Sequence, residues 1–180
     1  MSKRVIAVGA VAILLCTLVV WSQAPAGPPK PGPEHKRLGL FAGKWSGSGE
    51  VKSGPWGPGG KMTWTETCEW FEGGFSIVCR SEGSDPMGKL KGLSILGYNI
   101  NEKHYVYLGT NSRGEVETSK GTLQGKTWNW TSEGKMGGKN VKSKFTINEL
   151  SNDAYTFKWE TSVDGGPWSV AMEGKSTRTK

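Results

Sequence analysis

The sequence has little of what metal sites and catalytic centres are usually built from. Its 180 residues include only two histidines, His35 and His104, and neither has a partner at metal-ligand spacing. It contains no C-x-x-C pair, no G-x-S-x-G nucleophile motif and no phosphate-binding loop, since its glycines occur at turn positions. We therefore predict no metal and no cofactor, and the residues favour a non-enzymatic protein over an enzyme.

Blocks of like charge are also missing, although the formal net charge is +7. The lysines are spread along strand-like segments, opposite apolar faces, as Lys142, Lys144 and Lys158 are. This distribution is typical of a solvated outer face and not of a nucleic-acid-binding patch. We predict no nucleic-acid partner.

The first residues are typical of a targeting segment. Lys3 and Arg4 precede an apolar run over residues 5–21, and two small-residue cleavage patterns follow, S-Q-A and A-P-A. We predict a signal peptide over residues 1–26, whose removal takes away two cations and lowers the formal charge from +7 to +5. The alternative is an uncleaved anchor, although the apolar run is shorter than the roughly 20 residues of a membrane span.

After cleavage the chain would consist of a leader and one domain. Residues 27–33 read G-P-P-K-P-G-P, which favours an extended, semi-rigid leader over residues 27–35. Residues 36–180 have the length of a single domain. We predict a periplasmic or extracellular protein that does not contact the membrane once the signal peptide is removed.

Helix signals are nearly absent, and period-two alternation takes their place. Only residues 34–41 favour a turn or two of helix. After them we predict ten strands, near residues 44–52, 61–72, 75–83, 90–99, 104–111, 115–123, 126–133, 140–149, 154–163 and 167–178. Every connection is short enough for a hairpin. The pattern therefore favours an all-β fold, a single antiparallel up-and-down barrel, in which closure removes the exposed edges. A two-sheet sandwich is the alternative.

The clearest hairpin spans residues 61–82, where two alternating runs flank Gly73 and Gly74. Its register places Cys68 opposite Cys79, and an oxidising compartment favours a disulfide between them, with two buried free thiols as the alternative. A two-residue turn would put the cysteines in a hydrogen-bonded pair, whereas a four-residue turn over residues 72–75 gives the closer, non-hydrogen-bonded kind. We predict the disulfide and therefore the wider turn.

Alternate turns of such a barrel lie at the same end, and the two ends differ. One set of turns is short, at residues 73–74, 100–103, 124–125 and 151–153. The other set is longer and glycine-rich, at residues 53–60, 84–89, 111–114, 134–139 and 164–166. We predict that the short turns close one end tightly and that the longer, glycine-rich turns form an open mouth at the other end. Flexible loops on a rigid scaffold commonly bind ligands, so we expect a ligand site at the mouth. The candidate ligand-binding residues are Trp56, Met62, Trp64, Met87, Met136 and Trp168. In the alternative, these side chains plug the barrel as ordinary core.

One acidic residue occupies a predicted inward position. Glu66 lies between Trp64 and Cys68 in the alternation, and a carboxylate inside a barrel must be paired or shift its pKa upward. It is the one candidate for a catalytic residue, as an acid or as a group that orients a ligand. The alternatives are an ion pair with a neighbouring cation, or a bulge that turns the side chain outward.

A family resemblance enters with residues 38–45, L-G-L-F-A-G-K-W. Gly43 and Trp45 at the start of the first strand are similar to the G-x-W start of calycins, the lipocalin and fatty-acid-binding-protein group. In those proteins the tryptophan closes the barrel bottom, often against a cation from the last strand, which implies Arg178 or Lys175 here. The wider pattern includes P-M-G-K-x-K-G and G-T-x-x-G-x-T-W and covers nearly all of residues 36–178. It resembles the exported bacterial members of domain-of-unknown-function family 1579. That resemblance implies a calycin-like barrel and brings no established activity or site residue.

These features favour an exported protein that binds a small apolar or amphipathic molecule inside a calycin-like barrel. One alternative is an enzyme, an isomerase or a hydrolase, that uses Glu66 in the cavity. A carbohydrate-binding protein that uses exposed Trp56 and Trp168 is another. The last is a structural envelope domain, because a small barrel can be filled by its own side chains.

Overall fold

The computed structural model describes residues 29–55 and 57–180 of the chain. The predicted signal peptide over residues 1–26 and the candidate residue Trp56 lie outside this part. The elements are a short helix α1 (Pro33–Arg37), one 3-10 turn (Leu38–Leu40) and the strands β1 (Gly43–Val51), β2 (Gly60–Trp70), β3 (Ser76–Asp85), β4 (Gly88–Asn99), β5 (His104–Asn111), β6 (Val116–Gln124), β7 (Thr127–Met136), β8 (Lys139–Ser151), β9 (Ala154–Val163) and β10 (Ser169–Thr179).

The ten strands form one closed antiparallel barrel. Each strand pairs with its neighbours in sequence, and β1 closes the barrel by pairing with β10. The alternation explains the two faces, because side chains at every second position of a strand point to the same side. On β2, for example, Trp64 and Cys68 point inward, while the exposed Thr63, Thr65 and Thr67 face solvent. The predicted barrel of ten strands is confirmed.

The N-terminal helix and the 3-10 turn close one end of the barrel, which we call the base. Pro33 opens α1, a position that suits proline because its missing N–H would have no partner there. The helix begins two residues before the end of the predicted leader, so residues 33–35 belong to the base. His35 is buried between Phe75 and Tyr98, with ring centroids 5.1 and 5.7 Å away. Leu38 is buried beneath the strands.

Trp45 and Arg178 fasten the base to the last strand. The Trp45 indole N–H donates to the backbone oxygen of Phe41 at 2.8 Å. The Arg178 guanidinium lies 4.4 Å above the Trp45 ring, where a cation is attracted to the aromatic face. The same guanidinium donates to the backbone oxygens of Leu40 and Ala42 and pairs with Asp153. The cation that the calycin resemblance implies is therefore Arg178, whereas Lys175 is exposed on the outer face.

The β2–β3 hairpin has the wider turn. Phe71 N–H donates to the Ser76 oxygen at 2.8 Å, so residues 72–75 form a four-residue connection. Counting outward from this hydrogen-bonded pair, Cys68 and Cys79 fall in a non-hydrogen-bonded pair, the closer kind. Their Cα atoms are 4.0 Å apart and the two sulfurs are bonded, so the predicted disulfide is confirmed.

The opposite end, which we call the mouth, differs from the sequence expectation in two turns. Strand pairing continues to Asp85 and Gly88 and to Met136 and Lys139, which leaves two-residue turns at residues 86–87 and 137–138. The predicted long loops at residues 84–89 and 134–139 are therefore wrong. Glycine-rich sequence does not interrupt pairing here, because a glycine keeps its backbone N–H and C=O and can stay in the ladder. The longest mouth connection spans residues 52–59.

A pocket inside the barrel

The interior divides into a dry half and a water-accessible half. Near the base the inward side chains are buried, with Trp45, Ile77 and Trp128 at 1%, 0% and 0% exposure. Toward the mouth Val141, Ser143 and Thr161 on β8 and β9 are buried too, but many inward side chains are only half-buried. Since strand pairing is continuous around the barrel, solvent reaches them from the mouth. We call this half the inner pocket, and its half-buried residues include Met62, Trp64, Glu66, Tyr107, Phe145 and Trp159.

Inward glycines let aromatic rings lie flat against the wall of the barrel. Gly47 is the partner of Trp64 in the β1–β2 ladder, and Gly121 is the partner of Trp130 in the β6–β7 ladder. A Cβ atom added at either glycine would overlap the facing indole ring. The ring therefore covers its glycine partner and does not extend across the barrel. This arrangement explains how an interior lined by large aromatic side chains keeps space near the mouth.

Gly134 lies beside the remaining space. It follows Trp130 and Ser132 at every second position of β7, so its missing side chain would point inward. A Cβ atom added there meets no atom within 4 Å. A side chain at this exposed, inward position would therefore begin in open space at the mouth.

Glu66 lies at the floor of the inner pocket. Its ladder partners are Trp45 on β1 and Ser81 on β3, and its carboxylate lies within 4.8 Å of the Cys68 and Cys79 sulfurs. Within residues 29–55 and 57–180 no side chain or backbone group donates a hydrogen bond to this carboxylate, and no cation pairs with it. Burial raises the pKa of Glu66 to about 7. The prediction that Glu66 points inward is confirmed, and neither the ion pair nor the outward bulge occurs.

The carboxylate and the two sulfurs do not make a metal site. Three potential ligand atoms do lie close together here. The cysteines, however, are bonded to each other, and metals bind the free thiolate. Glu66 alone does not supply a coordination sphere.

Two tyrosines share the electrostatic environment of Glu66. Burial raises the pKa of Tyr107 to about 12, with smaller contributions from the Glu117 and Glu66 charges. Burial also raises the pKa of Tyr155, and the Glu66 charge adds to that effect. Both phenols therefore stay neutral at physiological pH and act on a ligand only as hydrogen-bonding groups and aromatic faces.

Glu117 is a second carboxylate on the inner face, exposed at the mouth end of β6, which the sequence reasoning missed. It accepts hydrogen bonds from Ser119 Oγ at 2.7 Å and from Ser132 Oγ at 3.2 Å. Ser132 also shares a 2.6 Å hydrogen bond with Ser143. The sequence does contain a signal for the inward position of Glu117. Glu117, Ser119 and Gly121 occupy every second position of β6 and therefore share one face of the strand. Gly121 in turn faces Trp130, which marks this face as the inner one.

The family model described as "Protein of unknown function (DUF1579)" matches residues 30–178. The chain belongs to this family. No curated protein matches it. Among solved structures it is similar to Rv2717c from M. tuberculosis, with 13% identity and a TM-score of 0.59 over 84% of this chain and 100% of that one. It is also similar to the S-type phycobiliprotein lyase CPES from Guillardia theta, with 14% identity and a TM-score of 0.57 over 82% of this chain and 93% of that one. At these identities the likeness shows the fold alone.

The DUF1579 resemblance predicted from the sequence is thus confirmed, and the calycin-like barrel with it. The disulfide is consistent with an oxidising, exported environment. No helix in the part of the chain that the structure describes is long and apolar enough to cross a membrane.

The candidate mouth residues occupy different places. Met62 and Trp64 line the inner pocket, and the Trp64 ring packs edge-on against Phe157 at 5.3 Å. Met87 is 54% exposed in the β3–β4 turn and Trp168 is 52% exposed before β10. Met136 is half-buried at the end of β7. The structure therefore brings Met62 and Trp64 to the pocket and leaves the other three at separate turns of the mouth.

A bulge interrupts the alternation of β10. In the sequence Trp168, Val170 and Met172 alternate with Ser169, Ala171 and Glu173, a pattern that by itself would put the three apolar residues on one face. The β9–β10 register shifts between Val170 and Met172, so Met172 faces the inward Trp159 while Val170 faces Glu160. The extra residue moves the side chains that precede it on β10 to the opposite face of the sheet. Val170 therefore points outward.

Two depressions lie on the outer surface of the barrel. One, of about 390 Å³, is lined by His35, Phe75, Ile95 and Leu108 among others. The other, of about 790 Å³, lies over β1–β3 and is lined mostly by hydroxyl and lysine side chains. Neither includes Glu66, and the second shares Trp64 with the inner pocket.

Proposed function

We propose that this protein binds a small apolar or amphipathic molecule in the inner pocket of its barrel. The observation that carries the proposal is the half-burial of inward side chains near the mouth, above a base that is closed and dry. A barrel with an entirely filled interior would have buried these side chains as it buries Trp45 and Trp128. One closed end and one open end give the pocket a single entrance.

The lining of the pocket suits such a molecule. Trp64, Phe145 and Trp159 present large apolar faces that water reaches, and covering such surface contributes about 25 cal/mol per Å². The polar groups include Glu66, the Tyr107 hydroxyl, Ser81, Ser94 and the serines around Glu117. A mainly apolar pocket with a small number of placed polar groups is the usual form of a small-molecule site.

The setting of this activity is also part of the proposal. The disulfide and the targeting pattern of residues 1–26 support action after export, in the periplasm or outside the cell. The similarity to a phycobiliprotein lyase is compatible with a barrel that handles small molecules. Met87, Met136 and Trp168 remain candidate rim residues under this proposal.

Substitution of Gly134 tests the proposal. Gly134→Phe places a ring in the open space of the inner pocket, so we expect the folded variant to lose binding. Lys135→Phe adds the same ring to the neighbouring exposed position on the outer face and serves as the control. Binding is measured by tryptophan fluorescence and native mass spectrometry against a panel of lipids and aromatic compounds. Equal binding by both variants, or no ligand for the wild type, would contradict an interior site.

A second candidate function is acid–base catalysis by Glu66. The observation that favours it is a carboxyl in a water-accessible pocket whose pKa of about 7 suits proton transfer near neutral pH. The bound molecule would then be isomerised or hydrolysed. Glu66→Gln should abolish this change, which is followed by NMR and mass spectrometry of the recovered ligand at a ligand concentration that saturates both proteins. Recovery of unchanged ligand from the wild type would exclude this role for that ligand.

A further inference from the structure

The charges inside the barrel are unbalanced. Among the described residues, the inward carboxylates without a cation partner are Glu66 and Glu117. Asp85 at the mouth and Glu149 at the base also lie on the inner face, and they pair with Arg113 and Arg37. The strand lysines lie on the outer face, as Lys61 and Lys175 do. The inner pocket is therefore acidic although the protein as a whole is basic.

Three arginines beside this interior are already engaged. At the base, Arg178 lies on the Trp45 ring and donates to Asp153 and to three backbone oxygens. Arg37 lies over the Trp128 ring and pairs with Glu149. At the mouth, Arg113 binds both carboxylate oxygens of Asp85, at 2.6 and 2.8 Å. None of the three is available as a counter-ion for an anionic group that enters the pocket.

Glu117 and Glu66 differ in the hydrogen bonds that their carboxylates accept. Glu117 accepts two serine hydroxyl hydrogen bonds. Glu66 accepts none within the described residues, and it lies beside Trp45 with Trp64 two positions away on the same inner face. An unpaired carboxylate in an aromatic surrounding is a place where a cation gains both an ion pair and contacts with ring faces.

We propose that the ligand of the inner pocket carries an ammonium group on an apolar body, and that this group binds the Glu66 carboxylate among the aromatic side chains. The inference rests on the proposed function, since it names the chemistry of the molecule bound there. A ligand with a carboxylate end would meet the Glu66 and Glu117 carboxylates and, among residues 29–55 and 57–180, no inward cation without a partner, a like-charge arrangement that disfavours it. The pocket therefore selects amines over fatty acids.

The selectivity has a pH dependence set by the groups that face Glu66. These are Trp45 and Ser81 on the adjacent strands, the Cys68–Cys79 disulfide, and Tyr107 and Tyr155 from other strands, while the Glu117 charge acts on the Tyr107 phenol. The two phenols stay neutral because their pKa values are raised. An alkylammonium keeps its charge below about pH 10, close to the value of a lysine side chain. Amine affinity should therefore rise with pH as Glu66 ionises.

Three probes with one alkyl chain test the inference. Decylamine, decanol and decanoate are titrated into the wild-type protein at about pH 5.5 and about pH 8.5, followed by tryptophan fluorescence and native mass spectrometry. We expect decylamine to bind most tightly and decanoate least tightly at the higher pH. Glu66→Gln should weaken decylamine by about tenfold or more and remove its pH dependence, since hydrogen bonds to charged groups are the stronger ones. Glu69→Gln removes the same charge from the outer face of the same strand and should bind as the wild type does.

The outcomes separate the two proposals. Decanoate that binds as tightly as decylamine, or an amine preference that survives Glu66→Gln, overturns the ammonium site and leaves interior binding standing. No binding of any of the three probes, together with no effect of Gly134→Phe, overturns interior binding and the ammonium site with it.

Discussion

Replacing Glu66 by glutamine should stabilise the protein at high pH and not at low pH. Glu66 is inward, lacks a hydrogen-bond donor among the described residues, and has a pKa raised from 4.5 to about 7 by burial. A raised pKa in the folded state means that folding favours the protonated carboxyl. The cost in unfolding free energy of ionising this buried carboxyl is absent below pH 4.5, grows as the pH rises toward 7, and reaches its full value above pH 7.

The size of the effect follows from the pKa values. Each tenfold change in acid dissociation corresponds to about 1.4 kcal/mol, so the move from 4.5 to about 7 corresponds to about 3 kcal/mol. Water reaches Glu66 from the mouth and lessens the penalty, so we expect Glu66→Gln to gain about 2 kcal/mol in unfolding free energy above pH 7. Below pH 4.5 the wild type is protonated and the difference should be close to zero.

The measurement is urea unfolding of wild type and variant across this pH range, with tryptophan fluorescence as the signal and the disulfide intact. Other groups change the stability at the acidic end of the range, including Asp85, whose pKa Arg113 lowers, so that its stabilisation is lost as the pH falls. The comparison is therefore the difference between the two proteins at each pH. Glu69→Gln, on the outer face of the same strand, should show no such pH-dependent gain. A constant difference between Glu66→Gln and wild type, or a wild type that becomes relatively more stable as the pH rises, would refute the reasoning.

The remaining predictions concern the base and the hairpin. Arg178→Met removes the cation above the Trp45 ring and its hydrogen bonds, so we expect a loss of about 3 kcal/mol in unfolding free energy, whereas Lys175→Met on the outer face should change it by less than about 0.5 kcal/mol. The double substitution Cys68→Ala and Cys79→Ala opens a loop with a sequence separation of 11, which should cost about 2–3 kcal/mol. Both are measured by urea unfolding, and a Lys175 variant as destabilised as the Arg178 variant would contradict the role of the base cation.

The sequence was sufficient for the parts of the fold that depend on local alternation. Facing residues in a hairpin share one side, so once Cys68 was placed opposite Cys79 the inward position of Glu66 followed. The closure of the barrel base by Trp45 was predicted from the resemblance to calycins and not from the alternation of apolar and polar residues. The choice between Arg178 and Lys175 needed the pairing of β10, because both lie near the end of the chain.

The parts that sequence reasoning missed depend on interactions between strands. The facing strand decides whether the glycine-rich stretches near residues 84–89 and 134–139 pair or form loops. Here both stretches pair with the facing strand. The bulge between Val170 and Met172 leaves no local signature, yet it reverses the facing of Val170. Glu117 looks like a surface residue in its own segment, and only its alignment with Gly121 opposite Trp130 shows that it points inward.

The stability of the barrel and its preference for a cation depend on one group. Ionised Glu66 without a partner destabilises the fold, and an ammonium bound beside it removes that penalty, because an opposite charge favours the ionised form. The stabilisation that decylamine gives should therefore grow with pH in the wild type and stay constant in Glu66→Gln. If decylamine stabilised both proteins equally at about pH 8.5, the ammonium would bind elsewhere. The raised pKa of Glu66 would then reflect packing alone.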